Sequence, residues 1–322
     1  MKSLLLLGGT GFFGASFIHA FYKGNLEKWG IGELLIVSRN ASSFPQHNPA
    51  CHGLNIHYID LDISKLSALP KCDYIMHFAG SSDKARYEKN LSEELRNIDQ
   101  NMILFVKSIE EASANPSHVL YASSGAVYGP TDAQKFSEED KVDNVDAFHS
   151  VKQYYAQSKL ISENTFRQLA KKNRKLSIAR CFSFVGPCLP LDTHFVAGNL
   201  IRNILNKEAL KIKAQIPVMR SYLHTDDLVE WLMEVMLNGT YTGSIFNVGS
   251  DDDVEIHDLA KDLASHFDLP LDATTPLNHD ADFYVPNIRK ARSIGLQPRY
   301  SSLQAIIKTV DDIKQKSSRH GI

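Results

Sequence analysis

The sequence predicts an α/β fold built on a Rossmann-type doubly wound parallel sheet, with a smaller C-terminal domain. Three observations carry this expectation. Short apolar runs alternate with longer amphipathic stretches through the first 180 residues, a Gly8-x-x-Gly11-x-x-Gly14 turn follows the first run, and the alternation breaks down after residue 180. Continuous apolar strands are expected where helices cover both faces of a sheet. Strand–helix alternation implies parallel order, with the ligand at the carboxyl ends of the strands.

In chain order, the predicted strands are Leu4–Leu7, Leu34–Val37, Ile56–Tyr58, Tyr74–Phe78, Val119–Ala122 and Leu176–Ala179. The predicted helices between them are Phe12–Tyr22, Leu91–Glu111 and Val151–Lys172. Gly186-Pro187 and Pro190 interrupt the pattern before a helix at Val196–Asn206. Thr225-Asp226-Asp227 reads as an N-cap with first-turn acids for a helix to Leu237. Ile245–Val248 reads as a strand returning to the sheet, and Lys316–Ile322 as a frayed end. The domain expectation is therefore 1–180 for the dinucleotide-binding unit, with 221–250 returning to it, and 181–220 plus 251–322 for the second domain.

With 322 residues the chain can bury a large core, and 43% hydrophobic with 22% charged residues is ordinary for a globular enzyme. A formal net charge of -2 gives no basic excess for general nucleic-acid binding. Cys51, Cys72, Cys181 and Cys188 lack CxxC spacing, which suggests a reduced, cytoplasmic chain rather than a disulfide framework or zinc site. The histidines His19, His47, His52, His149, His257 and His266 show no metal-ligand spacing, so no metal is expected. Lys2 with Leu4–Leu7 superficially resembles a signal peptide, but the run is short and leads directly into glycines. No apolar stretch approaches the roughly 20 residues that span a bilayer.

The segment Gly8-Gly9-Thr10-Gly11-Phe12-Phe13-Gly14 follows a strand and opens a helix. Gly8 suits the tight turn, Gly11 lets the backbone approach a pyrophosphate, and Gly14 lets the helix pack on the strand. At the end of the second strand stand Ser38 and Arg39, where an Asp or Glu usually selects NAD by binding the ribose 2′-hydroxyl. Both can hydrogen-bond a 2′-phosphate, so NADP(H) is favoured over NAD(H), with a solvated surface arginine as the alternative. After the third strand, Asp62-Ile63 can reach the adenine, although Asp62 serves equally as an N-cap.

Tyr155 and Lys159 stand at i and i+4 of a predicted helix and share a face. An ammonium beside a phenol lowers the phenol's pKa, as a proton donor to a forming alkoxide requires. Ser124, at the end of the preceding strand, can hydrogen-bond a substrate oxygen.

These residues resemble the extended short-chain dehydrogenase/reductase family, the NAD-dependent epimerases and dehydratases of nucleotide sugars. The resemblance also runs through His77-Phe78-Ala79-Gly80, Ser123-Ser124-Gly125-Ala126-Val127-Tyr128-Gly129 and Arg180-x-Phe182-x-x-x-Gly186-Pro187. It continues in Arg220–Asp227, Phe246-Asn247-Val248-Gly249 and Tyr284-Val285-Pro286-Asn287. It implies Ser124, Tyr155 and Lys159 as the catalytic triad, Lys159 and Tyr155 at the nicotinamide, and Phe78, Ala79 and Gly80 along the cofactor. The smaller domain is then substrate-binding, with Asn199 and Arg220 on a sugar-nucleotide diphosphate, Arg220 by its planar fork. A helix-cap role for Asn199 is the structural alternative. Ser183 and His194 are expected on the nucleotide or sugar pocket, and Asn287 replaces a carboxylate common in the family. The family also implies a homodimer through the two long helices Leu91–Glu111 and Val151–Lys172.

The family's dehydratases place Asp-Glu directly after the catalytic Ser or Thr, where this chain has Gly125-Ala126. Neither residue moves protons, so dehydration is disfavoured. Ala126 also replaces the cysteine of the bifunctional 3,5-epimerase/4-reductases. The expected reaction is NADPH-dependent reduction of the C4 ketone of a nucleoside-diphosphate 4-keto-6-deoxyhexose. A 4-epimerase is the alternative, and a non-catalytic dinucleotide-binding relative the third reading. Gly186–Phe195 resembles the corresponding stretch of deoxysugar reductases such as abequose synthases.

Overall fold

A computed structural model describes residues 1–47, 53–80, 90–111, 116–129, 133–142, 151–171, 174–191, 195–276 and 281–320. Cys51, His52, His149 and His194 lie outside the described residues. The elements run β1 (Lys2–Leu7), α1 (Phe12–Tyr22), β2 (Ile31–Ser38), β3 (Ile56–Asp60), β4 (Tyr74–His77), α2 (Leu91–Glu111), β5 (His118–Ser124), α3 (Val151–Phe166) and β6 (Lys175–Cys181). Then follow β7 (Phe184–Val185), α4 (Val196–Asn206), β8 (Leu210–Ile212), β9 (Val218–Arg220), β10 (Leu223–His224), α5 (Thr225–Leu237) and β11 (Ser244–Val248). The last are β12 (Val254–Glu255), α6 (Ile256–Phe267), β13 (Leu271–Ala273), β14 (Asp282–Tyr284), α7 (Arg289–Ser293) and α8 (Ser302–His320).

Seven strands form the main sheet in the order β11-β6-β5-β4-β1-β2-β3. The pairings β1–β2, β2–β3, β1–β4, β4–β5 and β5–β6 are parallel. The order reverses at β1, so the crevice between the ends of β1 and β4 is the switch point where such sheets bind ligands. Sequence dictates this directly. Leu4, Leu5 and Leu6 are fully buried because side chains on both faces of a covered strand meet apolar neighbours. On one face Leu5, Leu7, Ile75, Val119, Tyr121 and Ile178 share a core with Met102, Phe105, Val106 and Ile109 of α2. Those four helix positions follow i, i+3, i+4, i+7, the stripe an amphipathic helix buries.

The described chain divides into two compact units. One comprises Met1–Thr131, Glu138–Cys181 and Trp231–Phe246, and the other Asp132–Ser137, Phe182–Glu230 and Asn247–Ile322. The segment returning to the first unit thus runs from the middle of α5 to β11. The excursion Asp132–Ser137 has its own cause, since Phe136 N–H donates to Val285 O and Asn287 N–H to Phe136 O. The second unit holds a three-stranded sheet β12-β9-β14 and the two-stranded pairs β10-β7 and β13-β8. Its core gathers Leu200, Ile201 and Ile204 of α4, Leu259 and Leu263 of α6, and Ile306 and Val310 of α8.

Three boundaries differ from the sequence expectation. α3 ends at Phe166 and tightens into a 3-10 turn over Arg167–Lys171, a common way for a helix to finish. α5 begins at Thr225 itself. α8 continues through Lys316 to His320 where fraying was expected, because the packed Ala305–Val310 stretch nucleates a helix that ordinary residues then extend. Among the described residues no helix is long and apolar enough to cross a membrane.

Candidate active site

The glycine loop joins β1 to α1 at the switch point. Gly8 adopts φ +79°, and a Cβ there would lie 2.6 Å from Ala79 N. Only glycine permits both the left-handed turn and that approach. At Gly14 a Cβ would sit 2.1 Å from Gly9 O, so helix and turn pack as glycine against glycine. Gly11 differs: its φ is -74°, and an added Cβ would meet nothing nearer than Gly8 O at 3.4 Å. Among the described residues no protein atom explains the missing side chain, whereas a pyrophosphate approaching the N-terminus of α1 would. That N-terminus has no side-chain cap of its own. The loop therefore fits a dinucleotide.

A cavity of about 460 Å³ opens from this loop. Of the residues expected at the cofactor, Gly8, Thr10, Gly11, Ser38, Arg39, Asp62, Ile63, Phe78, Ala79, Gly80 and Lys159 line it. Phe12, Phe13, Gly14 and Tyr155 are not in its wall; Phe13 packs edge-on against Phe78 at 5.6 Å. Thr10 Oγ donates to Ser38 Oγ at 3.0 Å, tying the glycine loop to the end of β2. Asp62 has the capping part that the sequence offered as an alternative. It lines the cavity and also caps the turn Ile63–Lys65, accepting from Ser64 N at 3.0 Å and Ser64 Oγ at 2.9 Å. Those hydrogen bonds, aided by the Arg39 charge, hold its carboxyl below the usual range.

At the other end of the cavity, α3 lies against β5. Lys159 Nζ donates to Ala122 O at 2.9 Å, two residues before Ser124. The same ammonium lies 5.8 Å from the centroid of the Tyr155 ring and 5.1 Å from that of Tyr121. A Cβ on Gly80 would stand 3.3 Å from Nζ, so the loop after β4 also frames it. Burial pulls the Lys159 ammonium down to about 8, with Cys181 and Glu163 acting in the opposite direction. Ser124 caps the turn Gly125–Tyr128, its Oγ accepting from Ala126 N at 3.1 Å. Tyr155 is half-buried. His77, in the cavity wall, is held neutral: burial above all, then the Lys159 charge, pushes it down to about 3.

Sequence reading missed one group beneath this surface. Glu163 receives a hydrogen bond from Ser123 Oγ at 2.5 Å and a fork from Arg180, Nε at 3.1 Å and Nη2 at 2.9 Å. The Arg180 guanidinium stacks 4.7 Å over the Tyr128 ring. The available signal was Glu163 at i+4 from Lys159, an acid continuing the Tyr155–Lys159 stripe.

In the second unit the residues expected at the substrate keep separate partners. Ser183 is half-buried, and its carbonyl accepts from Leu223 N at 3.0 Å. Asn199 lies within α4, whose N-cap is Phe195, so the helix-cap alternative does not hold; its Oδ1 accepts from Arg202 at 3.0 Å. Arg220 is committed to β14. Its Nη2 donates to Asp282 Oδ2 at 2.7 Å, and its Nη1 to the carbonyls of Asp282 and Met219 at 2.8 Å each. Asn287 has a local explanation, because its Oδ1 accepts from Arg289 N at 3.0 Å at the start of α7.

Comparison with known proteins agrees with this fold. The chain is 24% identical to a UDP-glucose 4-epimerase of Mycoplasma genitalium, covering 89% of this chain and 88% of that protein. Its fold matches UDP-glucose 4-epimerase of Stenotrophomonas maltophila, solved with bound NAD, at a TM-score of 0.80 with 16% identity and full coverage of both chains. It matches the dTDP-glucose 4,6-dehydratase of Streptomyces venezuelae, also solved with NAD, at 0.79 with 20% identity and 98% of each chain covered. The model of the NAD dependent epimerase/dehydratase family matches residues 4–249, and with the glycine loop and the Tyr155–Lys159 stripe in their places, this chain belongs to that family.

Proposed function

We propose that this chain reduces the C4 ketone of a nucleoside-diphosphate 4-keto-6-deoxyhexose with NADPH. The observation that carries the reading is the Lys159 ammonium, buried in the wall of the cavity that opens from the glycine loop, fixed on Ala122 O and 5.8 Å from the centre of the Tyr155 ring. A nicotinamide held there supplies the hydride. Tyr155 gives its proton to the C4 oxygen as charge develops on it, and Ser124 donates a second hydrogen bond to the same oxygen. Lys159 keeps the phenol poised for transfer, because a nearby positive charge stabilises phenolate. Holding the ketone in contact with the donor provides much of the acceleration.

Arg39 and Ser38 in the cavity wall support NADPH, since the fork of an arginine suits a 2′-phosphate. Gly125-Ala126 after Ser124 supports a reaction without elimination. Arg220 supports a diphosphate at the second unit, and Asn199 and Ser183 belong to the same proposed pocket. A reduced cytoplasmic setting and a homodimer through α2 and α3 complete the reading.

A second reading, NAD-dependent C4 epimerisation of a nucleotide sugar, is favoured by the M. genitalium relative, itself a UDP-glucose 4-epimerase. One experiment separates the two. The purified protein is given NADPH with dTDP-4-keto-6-deoxyglucose or its UDP, GDP or CDP counterpart, and reduced cofactor is followed by absorbance. Consumption of NADPH matched by a 4-hydroxy product is expected. Interconversion of UDP-glucose and UDP-galactose without added cofactor, with no NADPH consumed on any ketone, would replace the reductase by the epimerase.

A further inference from the structure

We propose that Glu94 of α2 reads the base of the dinucleotide, its carboxylate accepting from the 6-amino group of adenine. This rests on the dinucleotide reading of the cavity, and the test below requires no sugar nucleotide.

Asp60 closes β3 and Asp62 follows it, and both are already engaged. Asp60 accepts from Ser42 N at 2.9 Å and from Ser42 Oγ at 2.6 Å, and it is not in the cavity wall. Asp62 is in the wall, but its Oδ1 takes both the N–H and the hydroxyl of Ser64. Among the described residues the other acid lining the cavity is Glu94. Its neighbour Glu93 has a task at the start of α2: its N–H donates to Asn90 Oδ1 at 3.3 Å, and its Oε2 accepts from Asn90 Nδ2 at 2.9 Å. Such a reciprocal cap accounts for an acid three residues into a helix. Glu94 is half-buried, and among the described residues its carboxylate has neither a hydrogen bond nor an ion pair. The helix dipole favours a first-turn acid, but a carboxylate turned to solvent would serve it equally.

The surroundings suit a flat base. Glu94, Ile98 and Asn101 stand at i, i+4 and i+7 of α2, so one stripe of the helix lines the cavity. α2 packs against the turn Ile63–Lys65, whose Ile63 lines the same cavity. Ile63 and Ile98 thus supply apolar wall beside a single uncommitted polar group, the usual make-up of a ligand pocket. Ser38 and Arg39, the residues expected at the ribose, adjoin this corner because Ser38 is the register partner of Asp60. Adenine carries an N–H donor at its 6-position, where hypoxanthine carries a carbonyl oxygen. An ionised carboxylate is acceptor-only, so it binds the first and repels the second. A site built to pair with an N–H rejects an analogue lacking it, because its own polar group is left unpaired.

The test is a fluorescence titration of the purified protein with NADPH and its hypoxanthine analogue, and with NADH and its analogue in parallel. Wild type is expected to bind the adenine form about 10-fold more tightly. The amide in Glu94→Gln can donate as well as accept, so the preference is expected to disappear. Asp62→Asn and Glu93→Gln each remove a neighbouring carboxylate charge and are expected to keep the wild-type ratio. Should Glu94→Gln fail to fold, Glu94→Ala, with the strongest helix former at that position, carries the same requirement. A wild type without preference, an unchanged ratio in the folded Glu94 variant, or an equal loss in Asp62→Asn or Glu93→Gln overturns the proposal. Failure of all four dinucleotides to bind would overturn it together with the cofactor reading. Discrimination between the bases without reduction of any ketone would refute the reductase and leave this result standing.

Discussion

The α3–β5–β6 corner of the first unit and the β9–β14 corner of the second both pair an arginine with a carboxylate, Arg180 by a two-bond fork on Glu163 and Arg220 by a single bond to the Asp282 carboxylate, and the two pairs differ in kind. Arg180 and Glu163 are sealed, their side chains 2% and 1% exposed. Arg220 and Asp282 are 19% and 36% exposed. A sealed pair cannot exchange partners without leaving a buried charge alone, so it holds geometry. The partly exposed pair is screened by solvent where the sealed one is not, so the charge attraction holding Arg220 to Asp282 is the weaker of the two. The first unit thus holds its charged groups in a sealed, fixed arrangement, whereas the second holds Arg220 in a pair open to solvent.

The largest expected effect breaks the sealed side. Lys159→Met removes the ammonium beside Tyr155, and kcat for ketone reduction is expected to fall about 10²–10⁴-fold. In wild type the charged form of Lys159 disappears above a pKa of about 8, so activity should decline on the alkaline side of that value. A flat profile there would separate Lys159 from the chemistry. On the open side, Arg220→Lys keeps the charge and loses the fork. KM for the nucleotide sugar is expected to rise about 10–100-fold with kcat little changed, as steady-state kinetics will show. Asp282→Asn removes the carboxylate charge beside Arg220 and should move KM the other way.

Arg39→Ala tests the cofactor end of the sealed unit. The ratio of NADPH to NADH dissociation constants, read by fluorescence titration, should change about 10-fold towards NADH. The smallest effect concerns His224 of the second unit. Its Nδ1 and Nε2 each lie 3.4 Å from a carboxylate, Asp226 and Asp312 respectively. Burial opposes its charge, but the two acids outweigh burial and raise its pKa. A raised folded pKa contributes stability that is complete below the ordinary value of about 6.5 and is lost as pH climbs through the folded value. His224→Gln should therefore cost about 1–2 kcal/mol near pH 6 and less at pH 8, in parallel denaturant melts.

Much of the first unit was legible because its physics is local. Apolar runs define β1 to β6, and the spacing of Gly8, Gly11 and Gly14 states a steric requirement that the contacts at Gly8 and Gly14 make visible. The Tyr155–Lys159 pair follows from helical period alone. What escaped depends on tertiary contact. Nothing in the spacing of Ser123, Glu163 and Arg180 announces that three elements bring them within hydrogen-bond reach. Nor does the sequence around Asp132–Ser137 reveal that Phe136 pairs with Val285 and Asn287, far along the chain. Arg220 was legible as a residue type, and its attachment to Asp282 was not, since β9 and β14 are separated by more than sixty positions.

The proposed reaction sends a hydride to C4 of the sugar beside Tyr155 and Lys159. It is tested most directly by turnover of dTDP-4-keto-6-deoxyglucose with NADPH deuterated at either face of nicotinamide C4, followed by NMR of the product sugar. Deuterium at sugar C4 from one face only, formed by wild type and abolished in Tyr155→Phe, is the predicted result. Turnover that leaves sugar C4 without deuterium, or that persists undiminished in Tyr155→Phe, would contradict the account.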